Sequence, residues 1–233
     1  MERISEAVDS KLRCILGKER QQEELNMVKR KHDTKWMVGV ALMAAIVVLL
    51  ANTPLGMIQL PVTKATTVHI PVILGAVVFG PGAGALLGGV FGICSVISNT
   101  ITPTLTSFAF SPFMSTTGLS GAVKALWIGL GCRVMIGVVV GWLWIILKKV
   151  KLSDTLALPI VGFIGSMTNT VLVMGSIYVL LAQQYAEAKN VGVSAVMGLI
   201  MGTVAVNGIP EALAAMVLTT AIGAALLRVA KGR

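Results

Sequence analysis

Long apolar segments follow one another along this chain from residue 35 onward. Hydrophobic residues make up 55% of the sequence and charged residues only 12%, with a mean hydropathy of +0.86. A soluble domain carries roughly twice that share of charge. About 20 apolar residues cross a bilayer's hydrocarbon core, about 30 Å thick, as a helix. The segments are too long for barrel strands, so the sequence predicts an all-α integral membrane protein.

Six apolar segments are predicted to span the membrane. They cover residues 35–52, 67–80, 82–98, 121–147, 155–182 and 193–228. The second has a short apolar core, and we expect it to extend into Thr66–His69 to approach a thickness of about 30 Å. The tight turn Gly80-Pro81-Gly82 joins it to the third segment. The pair is therefore predicted to form a membrane hairpin whose two ends open into polar loops on one side.

The net charge of +9 follows the predicted topology. Of the 19 Lys and Arg residues, nine lie at or before Lys35, three lie between the fourth and fifth segments, and three lie in the C-terminal tail. The positive-inside rule assigns these stretches to the cytoplasm, and an even number of spans places both termini there. We therefore predict a multi-pass protein of the cell membrane. Its positive charge reports topology and does not indicate a nucleic-acid partner.

Residues 1–33 are predicted to be a separate cytoplasmic segment, and residues 34–233 the six-helix transmembrane domain. Ile4, Val8, Leu12 and Ile15 fall at helical spacing among charged residues, which favours an amphipathic helix. Such a helix lies on the inner membrane surface or contacts a partner. A solvated charged head that only sets topology is an equally good interpretation.

Small residues recur at four-residue spacing in several segments. The glycines with this spacing are Gly84, Gly88 and Gly92, then Gly137 and Gly141, then Gly198 and Gly202. Such faces let helices approach closely in lipid, and a compact bundle explains most of them. Ala41 and Ala45 form a similar face on the first segment. That face either packs inside the bundle or receives a helix of another protein.

Ionisable groups at membrane depth are costly and usually functional. Arg133 lies in the fourth segment, where it either neutralises a ligand's carboxylate or pairs with Glu211 of the sixth segment to hold two helices together. Pro210 is expected to kink the helix beside Glu211. Asn169 and Asn207 carry donors and acceptors, which suit a ligand's hydroxyl and amide groups or a helix–helix hydrogen bond equally well.

The residues present argue against enzyme chemistry. The two histidines, His32 and His69, lie far apart along the chain, and the three cysteines have no metal-ligand spacing. A nucleophilic Ser/His/Asp site and a pair of aspartates in the membrane are not expected either. No GxxxxGK[ST] phosphate loop is present, so ATP is not hydrolysed by that route. We predict a protein that is not an enzyme and binds no metal or cofactor, with His69 as a capping or loop-orienting residue.

Taken in order, the polar motifs of the chain resemble those of a known family. They are 64–76 (KATTVHIPVILGA), Phe79-Gly80-Pro81, 98–104 (SNTITPT), 108–112 (FAFSP), 133–137 (RVMIG), Thr168-Asn169-Thr170 and 207–211 (NGIPE). Across about residues 35–230 the chain is similar to the substrate-binding subunits, or S components, of energy-coupling factor vitamin transporters. The order of these motifs is more specific than any one of them.

That resemblance implies a six-helix subunit that captures a vitamin or its precursor from outside with high affinity. It implies docking on a transmembrane scaffold that carries two cytoplasmic ATPases, with the whole subunit tipping over in the bilayer. The family's small-residue face on the first helix contacts the scaffold and matches Ala41 and Ala45 here. The family's ligand lies among helices four to six and two loops. The corresponding positions here are Lys64, Asn99, Thr102, Arg133, Asn169, Asn207 and Glu211.

Within the family, the pattern is most similar to the pantothenate-type branch. Pantothenate is an anion with hydroxyls and an amide, which an Arg or Lys with several Asn and Thr residues would bind. The scarcity of aromatic residues argues against a large flat ligand such as riboflavin or folate. Pyridoxine or a pyrimidine precursor is an alternative ligand. A stand-alone secondary transporter that uses Glu211 for proton coupling is an alternative mechanism.

Overall fold

The computed structural model describes residues 34–53, 56–59, 64–115 and 117–231. Within this part of the chain, five helices are long and apolar enough to cross a membrane. They are α1 (Thr34–Ala51), α3 (Pro81–Ile101), α4 (Gly118–Lys149), α5 (Asp154–Lys189) and α6, which with the turn before it covers Val193–Val229. The long elements are thus helical, as predicted. The amphipathic helix predicted within residues 1–33 lies outside the described residues.

The second predicted span is a short helix, α2 (His69–Phe79), of 11 residues. At about 1.5 Å per residue it is roughly 16 Å long, about half the thickness of a bilayer core. Its residues from His69 to Val77 are all buried, because it packs against α3, α4, α5 and α6. Burial on all sides explains its uniformly apolar sequence. The expected helical extension into Thr66–His69 is wrong, since Thr66 belongs to a strand.

A two-stranded hairpin precedes α2, and the sequence does not predict it. Strand β1 (Met57–Gln59) pairs antiparallel with β2 (Lys64–Thr66), with Met57 opposite Thr66. The Thr-rich sequence is typical of a loop, and strands of three residues are too short to show an alternating pattern. The Thr66 amide donates to Oε1 of Glu211 on α6 at 3.0 Å. This hydrogen bond fastens the hairpin to the bundle.

The tight turn between α2 and α3 is confirmed. Gly80 has a φ of +92°, in the left-handed region that favours glycine. Pro81 is the first residue of α3, where a helix has no need of its missing N–H. The hairpin of helices therefore opens at its far end into β1–β2 and into the loop that follows Ile101.

The glycine face of α3 packs directly on that of α4. A side-chain carbon at Gly84 would lie 2.5 Å from the carbonyl oxygen of Gly137, and one at Gly137 would collide with the backbone of Gly84. A side-chain carbon at Gly88 would likewise collide with the carbonyl of Arg133. The predicted close approach through small residues is confirmed for these two helices.

Gly137→Leu is expected to destabilise the protein by about 3 kcal/mol or more, because a side chain pressed against backbone cannot escape by changing rotamer. Gly198→Leu is the matched control, since no described residue lies within 4 Å of a side-chain carbon added at Gly198 or Gly202. These two glycines are therefore not among those that the packing of the described helices explains. Apparent melting temperatures in detergent would measure both effects, and equal shifts in the two variants would contradict the α3–α4 contact.

Helices α4 and α6 each contain an irregular turn. π-Helical segments interrupt α4 at Trp127–Gly131 and α6 at Val204–Gly208. The regular parts are Gly118–Leu126 and Cys132–Lys149 in α4, and Val196–Thr203 and Ile209–Lys231 in α6. The segment in α6 ends two residues before Pro210, whose missing N–H removes a helix hydrogen bond. The distortion predicted at Pro210 is therefore a π-helical turn, a feature common at functional sites.

The connection between α4 and α5 lies at the opposite end of these two helices from the loop that follows α3. Lys148 forms an ion pair with Asp154 there, and its Nζ also donates to the carbonyl of Leu152 at 3.2 Å. Helix α5 covers 36 residues but is not straight, because it is kinked at Leu181, whose backbone is not helical (φ −136°, ψ 23°). It continues to Lys189, seven residues beyond the predicted span at 155–182.

Candidate functional site

A pocket opens near the end of the bundle where α2 begins and α3 ends. The space that no atom fills there is about 430 Å³, a figure that counts open solvent outside the mouth together with the pocket itself. Helices α4, α5 and α6 and the loop after α3 form its walls. The lining residues are Phe110, Arg133, Asn169, Thr170, Val173, Met174, Thr203, Asn207, Gly208 and Glu211. Apolar walls with a few convergent polar groups are the usual composition of a small-molecule site.

Arg133 supplies the positive charge of the pocket and is only 5% exposed. Its Nη1 donates to Oδ1 of Asn169 on α5 at 3.1 Å. Its guanidinium carbon lies 4.9 Å from the ring centroid of Phe91 and 5.5 Å from that of Phe110. Two rings and a neutral amide fix the orientation of the guanidinium without neutralising its charge. The pocket therefore presents a cation that can bind an anionic group.

Glu211 lines the same pocket from α6, but it is not the ion-pair partner of Arg133. Between these two described residues no nitrogen–oxygen distance of 4.0 Å or less is found. One carboxylate oxygen instead accepts the hydrogen bond from the Thr66 amide. The alternative in which Arg133 and Glu211 pair only to hold two helices together is therefore not what the structure has. Glu211 faces the pocket as a hydrogen-bond acceptor.

The two predicted asparagines also reach the pocket. Asn169 is buried and joins α5 to α4 through its hydrogen bond with Arg133. Asn207 lies in the π-helical turn of α6 and is partly exposed. In the described part of the structure, no hydrogen bond of the Asn207 side chain is found. Of the two roles that the sequence allowed, Asn169 therefore has the helix–helix hydrogen bond. Asn207 instead presents donors and an acceptor to the pocket.

Two other predicted ligand positions, Asn99 and Thr102, are not among the described residues that line the pocket. Asn99 is buried and accepts from Oγ of Ser107 at 3.0 Å, and its amide donates to the carbonyl of Ser95 at 2.8 Å. Thr102 is exposed, and its hydroxyl donates to a carbonyl one turn earlier in α3 at 2.8 Å. Lys64 belongs to β2, and its side chain lies outside the described part of the structure.

The loop after α3 is organised by its own polar side chains. Oγ of Ser107 donates to Asn99 and accepts from the amide of Thr104 at 2.8 Å. This arrangement carries Phe110, whose ring lies over the guanidinium of Arg133 and forms part of the pocket wall. Asn99 therefore acts at a distance, by fixing the loop that presents Phe110.

Asn99→Ala is expected to lower the free energy of unfolding by about 1–3 kcal/mol, because it leaves a buried hydroxyl without its acceptor. Ser120→Ala is the matched control, since Ser120 is exposed and donates only across one turn to the carbonyl of Thr117. We expect the control to change stability by less than about 0.5 kcal/mol. Thermal unfolding in detergent measures both changes. A loss no larger than that of the control would refute the loop's dependence on Asn99.

Two aromatic residues of the site, Phe91 and Phe110, were not among the predicted ligand positions. Both rings lie against the guanidinium of Arg133. A buried cation without a carboxylate partner needs such surfaces. The sequence offers six Phe residues, however, and nothing in their spacing says which of them meet Arg133.

The chain matches a known family over most of its length. A sequence model described as the substrate-specific component of ECF transporters matches residues 35–223. The chain is also 34% identical to the pantothenic acid transporter PanT of Lactococcus lactis subsp. cremoris (strain MG1363), over 166 residues that make up 71% of this chain and 79% of that protein. These matches describe transport proteins and not enzymes. Together with its apolar helices, they show that the chain is a multi-pass membrane transport protein that belongs to the substrate-specific components of energy-coupling factor (ECF) transporters.

Proposed function

We propose that this protein captures a carboxylate-bearing vitamin, pantothenate, from outside the cell and delivers it by docking on a transmembrane scaffold with two ATPases. The observation that carries the proposal is Arg133, a buried cation that lines the pocket without a carboxylate partner within 4.0 Å in the described part of the chain. A buried charge is stable only when it is paired or strongly hydrogen-bonded. A ligand carboxylate would supply that partner.

The other polar groups of the pocket suit the rest of pantothenate. This ligand has two hydroxyls and an amide beside its carboxylate. Glu211 can accept from a hydroxyl, while Asn207 can both donate to and accept from an amide. Thr203 adds a hydroxyl to the same wall. The similarity to a pantothenic acid transporter supports the same ligand. Pyridoxine, which has no carboxylate, would leave Arg133 without an anionic partner.

The predicted topology places the pocket towards the outside. Lys148, Lys149 and Lys151 lie in or beside the connection between α4 and α5, which the positive-inside rule assigns to the cytoplasm. The pocket lies towards the other end of the bundle, with the hairpin and the loop after α3. With α2 counted as a sixth, shortened span, both termini lie in the cytoplasm. Capture from outside requires this orientation.

Delivery is proposed to require partner proteins. The sequence has no GxxxxGK[ST] phosphate loop, so uptake driven by ATP would need an ATPase on another subunit. Ala41 and Ala45 are exposed, with Leu42 and Leu49 on the same helix also 62% and 66% exposed. A small-residue face of this kind suits close packing against a helix of the scaffold.

Thermal stabilisation of the purified chain tests the ligand. Pantothenate at 100 times its Kd should stabilise the folded protein by about 2.7 kcal/mol, and shifts should follow the logarithm of concentration. The neutral analogue pantothenol, pyridoxine and riboflavin serve as comparisons. A larger shift for pyridoxine than for pantothenate, or no shift with any compound in a folded sample, would refute the proposal.

Uptake by reconstituted vesicles tests the mechanism. Concentrative uptake should need the scaffold and its ATPases, and it should survive an uncoupler. Uptake by the chain alone that collapses with an uncoupler and is lost in Glu211→Gln would establish the proton-coupled carrier instead. Glu211 is engaged by the Thr66 amide, which favours a role in holding the site over one in carrying protons.

A further inference from the structure

Two buried polar side chains near the pocket lack hydrogen-bond partners that their positions call for. His69, the first residue of α2, is 1% exposed, and neither of its ring nitrogens has a partner at full hydrogen-bond geometry among the described residues, although the backbone of Thr66 lies close enough to interact with the imidazole. Nε of Arg133 also lacks a partner among these residues, although Nη1 of Arg133 is bonded to Asn169. His69 makes no side-chain hydrogen bond that caps α2, and its loop-orienting role remains a prediction. Burying such groups unpaired is costly, so a partner for them has to be sought.

Other buried groups without partners have a simple remedy. The hydroxyls of Ser166 and Thr219 are also unpaired among the described residues. Each lies within a long helix, where rotation about one bond brings a hydroxyl to the carbonyl one turn earlier. An imidazole and the Nε of a guanidinium cannot reach their own helix in this way. His69 and Arg133 consequently remain the two residues to be explained.

The helix packing places His69 and Arg133 at the same level of the bundle. Ile73 of α2 packs at Gly165 of α5, where an added side-chain carbon would lie 2.8 Å from Cδ1 of Ile73. His69 lies four residues before Ile73, and Asn169 lies four residues after Gly165. Because α2 and α5 run antiparallel, His69 and Asn169 are both one turn from this contact, towards the pocket. Arg133 is hydrogen-bonded to Asn169, which brings its guanidinium to the level of His69.

We propose that His69 is a positioning residue for the ligand site, through a water molecule bound between its imidazole and Nε of Arg133. The water donates to an imidazole nitrogen and accepts from Nε, so it partners one atom of each residue. With Nε held by the water and Nη1 by Asn169, Nη2 of Arg133 is left for the carboxylate of a ligand. This inference rests on the proposed function, because it assigns His69 to the recognition of an anionic ligand.

Binding by His69 variants tests the role in recognition. His69→Leu should lower affinity for pantothenate by about 10-fold to 100-fold, and affinity for the neutral pantothenol by less than about 3-fold. His69→Gln, which can still bond the water, should recover most of the loss. Thr219→Val is the matched control, a buried polar deletion at a position outside the pocket lining, and should bind both compounds as the wild type does. Equal losses for the two compounds, or no loss for either, would overturn the proposal.

Stability of the ligand-free protein tests the water bridge independently. Melting temperatures of the wild type, His69→Leu, Arg133→Leu and the double variant form a cycle. A shared water predicts that the double variant loses less than the sum of the two single losses, because either change already removes the bridge. Additive losses would overturn the bridge. Failure of the wild type to bind pantothenate would instead refute the proposed function, and the cycle would still decide whether His69 and Arg133 are coupled.

Discussion

Arg133→Ala is expected to weaken pantothenate binding at least about 30-fold. Removing one partner of a buried, hydrogen-bonded charge pair costs about 2–5 kcal/mol, and each 1.4 kcal/mol is about tenfold in affinity. Arg133 is 5% exposed, so water does not screen its charge as it would at the surface. Isothermal titration in detergent with wild-type and variant protein measures the change.

Pantothenol separates charge recognition from packing in this experiment. It lacks the carboxylate, so its affinity should fall less than about fivefold in Arg133→Ala. Arg133→Gln should behave similarly, although its amide can still donate to Asn169. Lys149→Ala is the matched control, because Lys149 is an exposed cation at the opposite end of α4. Equal losses for pantothenate and pantothenol would show that Arg133 supports the pocket's shape and does not recognise an anion.

Hydropathy was sufficient to predict the long helices, because in lipid a backbone has to satisfy its hydrogen bonds within the helix. Their ends were less predictable. The third span was predicted to end at residue 98, whereas α3 continues to Ile101. Thr100 donates its hydroxyl to the carbonyl of Val96 at 2.8 Å, so a polar side chain is accommodated inside the helix where hydropathy predicts its end. Helix α5 likewise continues to Lys189, beyond the span predicted to end at residue 182.

The glycine faces show what spacing can and cannot establish. The four-residue period is the same in α3, α4 and α6, yet only the first two meet each other. Spacing predicts that a face is narrow enough for close packing, but the partner depends on which helices become neighbours. The sequence alone could therefore not tell that Gly84 and Gly137 lie in a close helix contact whereas Gly198 and Gly202 do not.

The candidate site was predictable to the extent that it depends on polar groups inside apolar helices. Arg133, Asn169, Asn207 and Glu211 all line the pocket, because burying such groups is costly and they converge where they satisfy one another or a ligand. Asn99 belongs to a motif of the resemblance as well, but its hydrogen bonds lie within a loop. A motif marks both kinds of residue, and only coordinates distinguish ligand-facing groups from supporting ones.

Ala41→Trp and Ala45→Trp are expected to abolish assembly with the scaffold while leaving pantothenate affinity within about twofold of the wild type. A close helix–helix contact depends on small side chains, and an indole ring separates the backbones by several ångströms. Both alanines are exposed, so the larger side chain has room in the isolated protein. Co-purification with the tagged scaffold and titration with pantothenate measure the two properties.

Val217→Trp is the matched control for this experiment. Val217 is 61% exposed on α6, so the same indole ring is added to another lipid-facing helix surface. This variant should bind pantothenate and assemble like the wild type. If the alanine variants assemble normally, α1 is not the docking face. If they lose ligand binding as well as assembly, the small residues of α1 support the fold and do not form a dedicated contact. The proposed docking face requires that the alanine variants lose assembly alone and that Val217→Trp is unaffected. Because both alanines are exposed, the isolated subunit tolerates the indole ring. In the complex the same ring would hold the two helices apart.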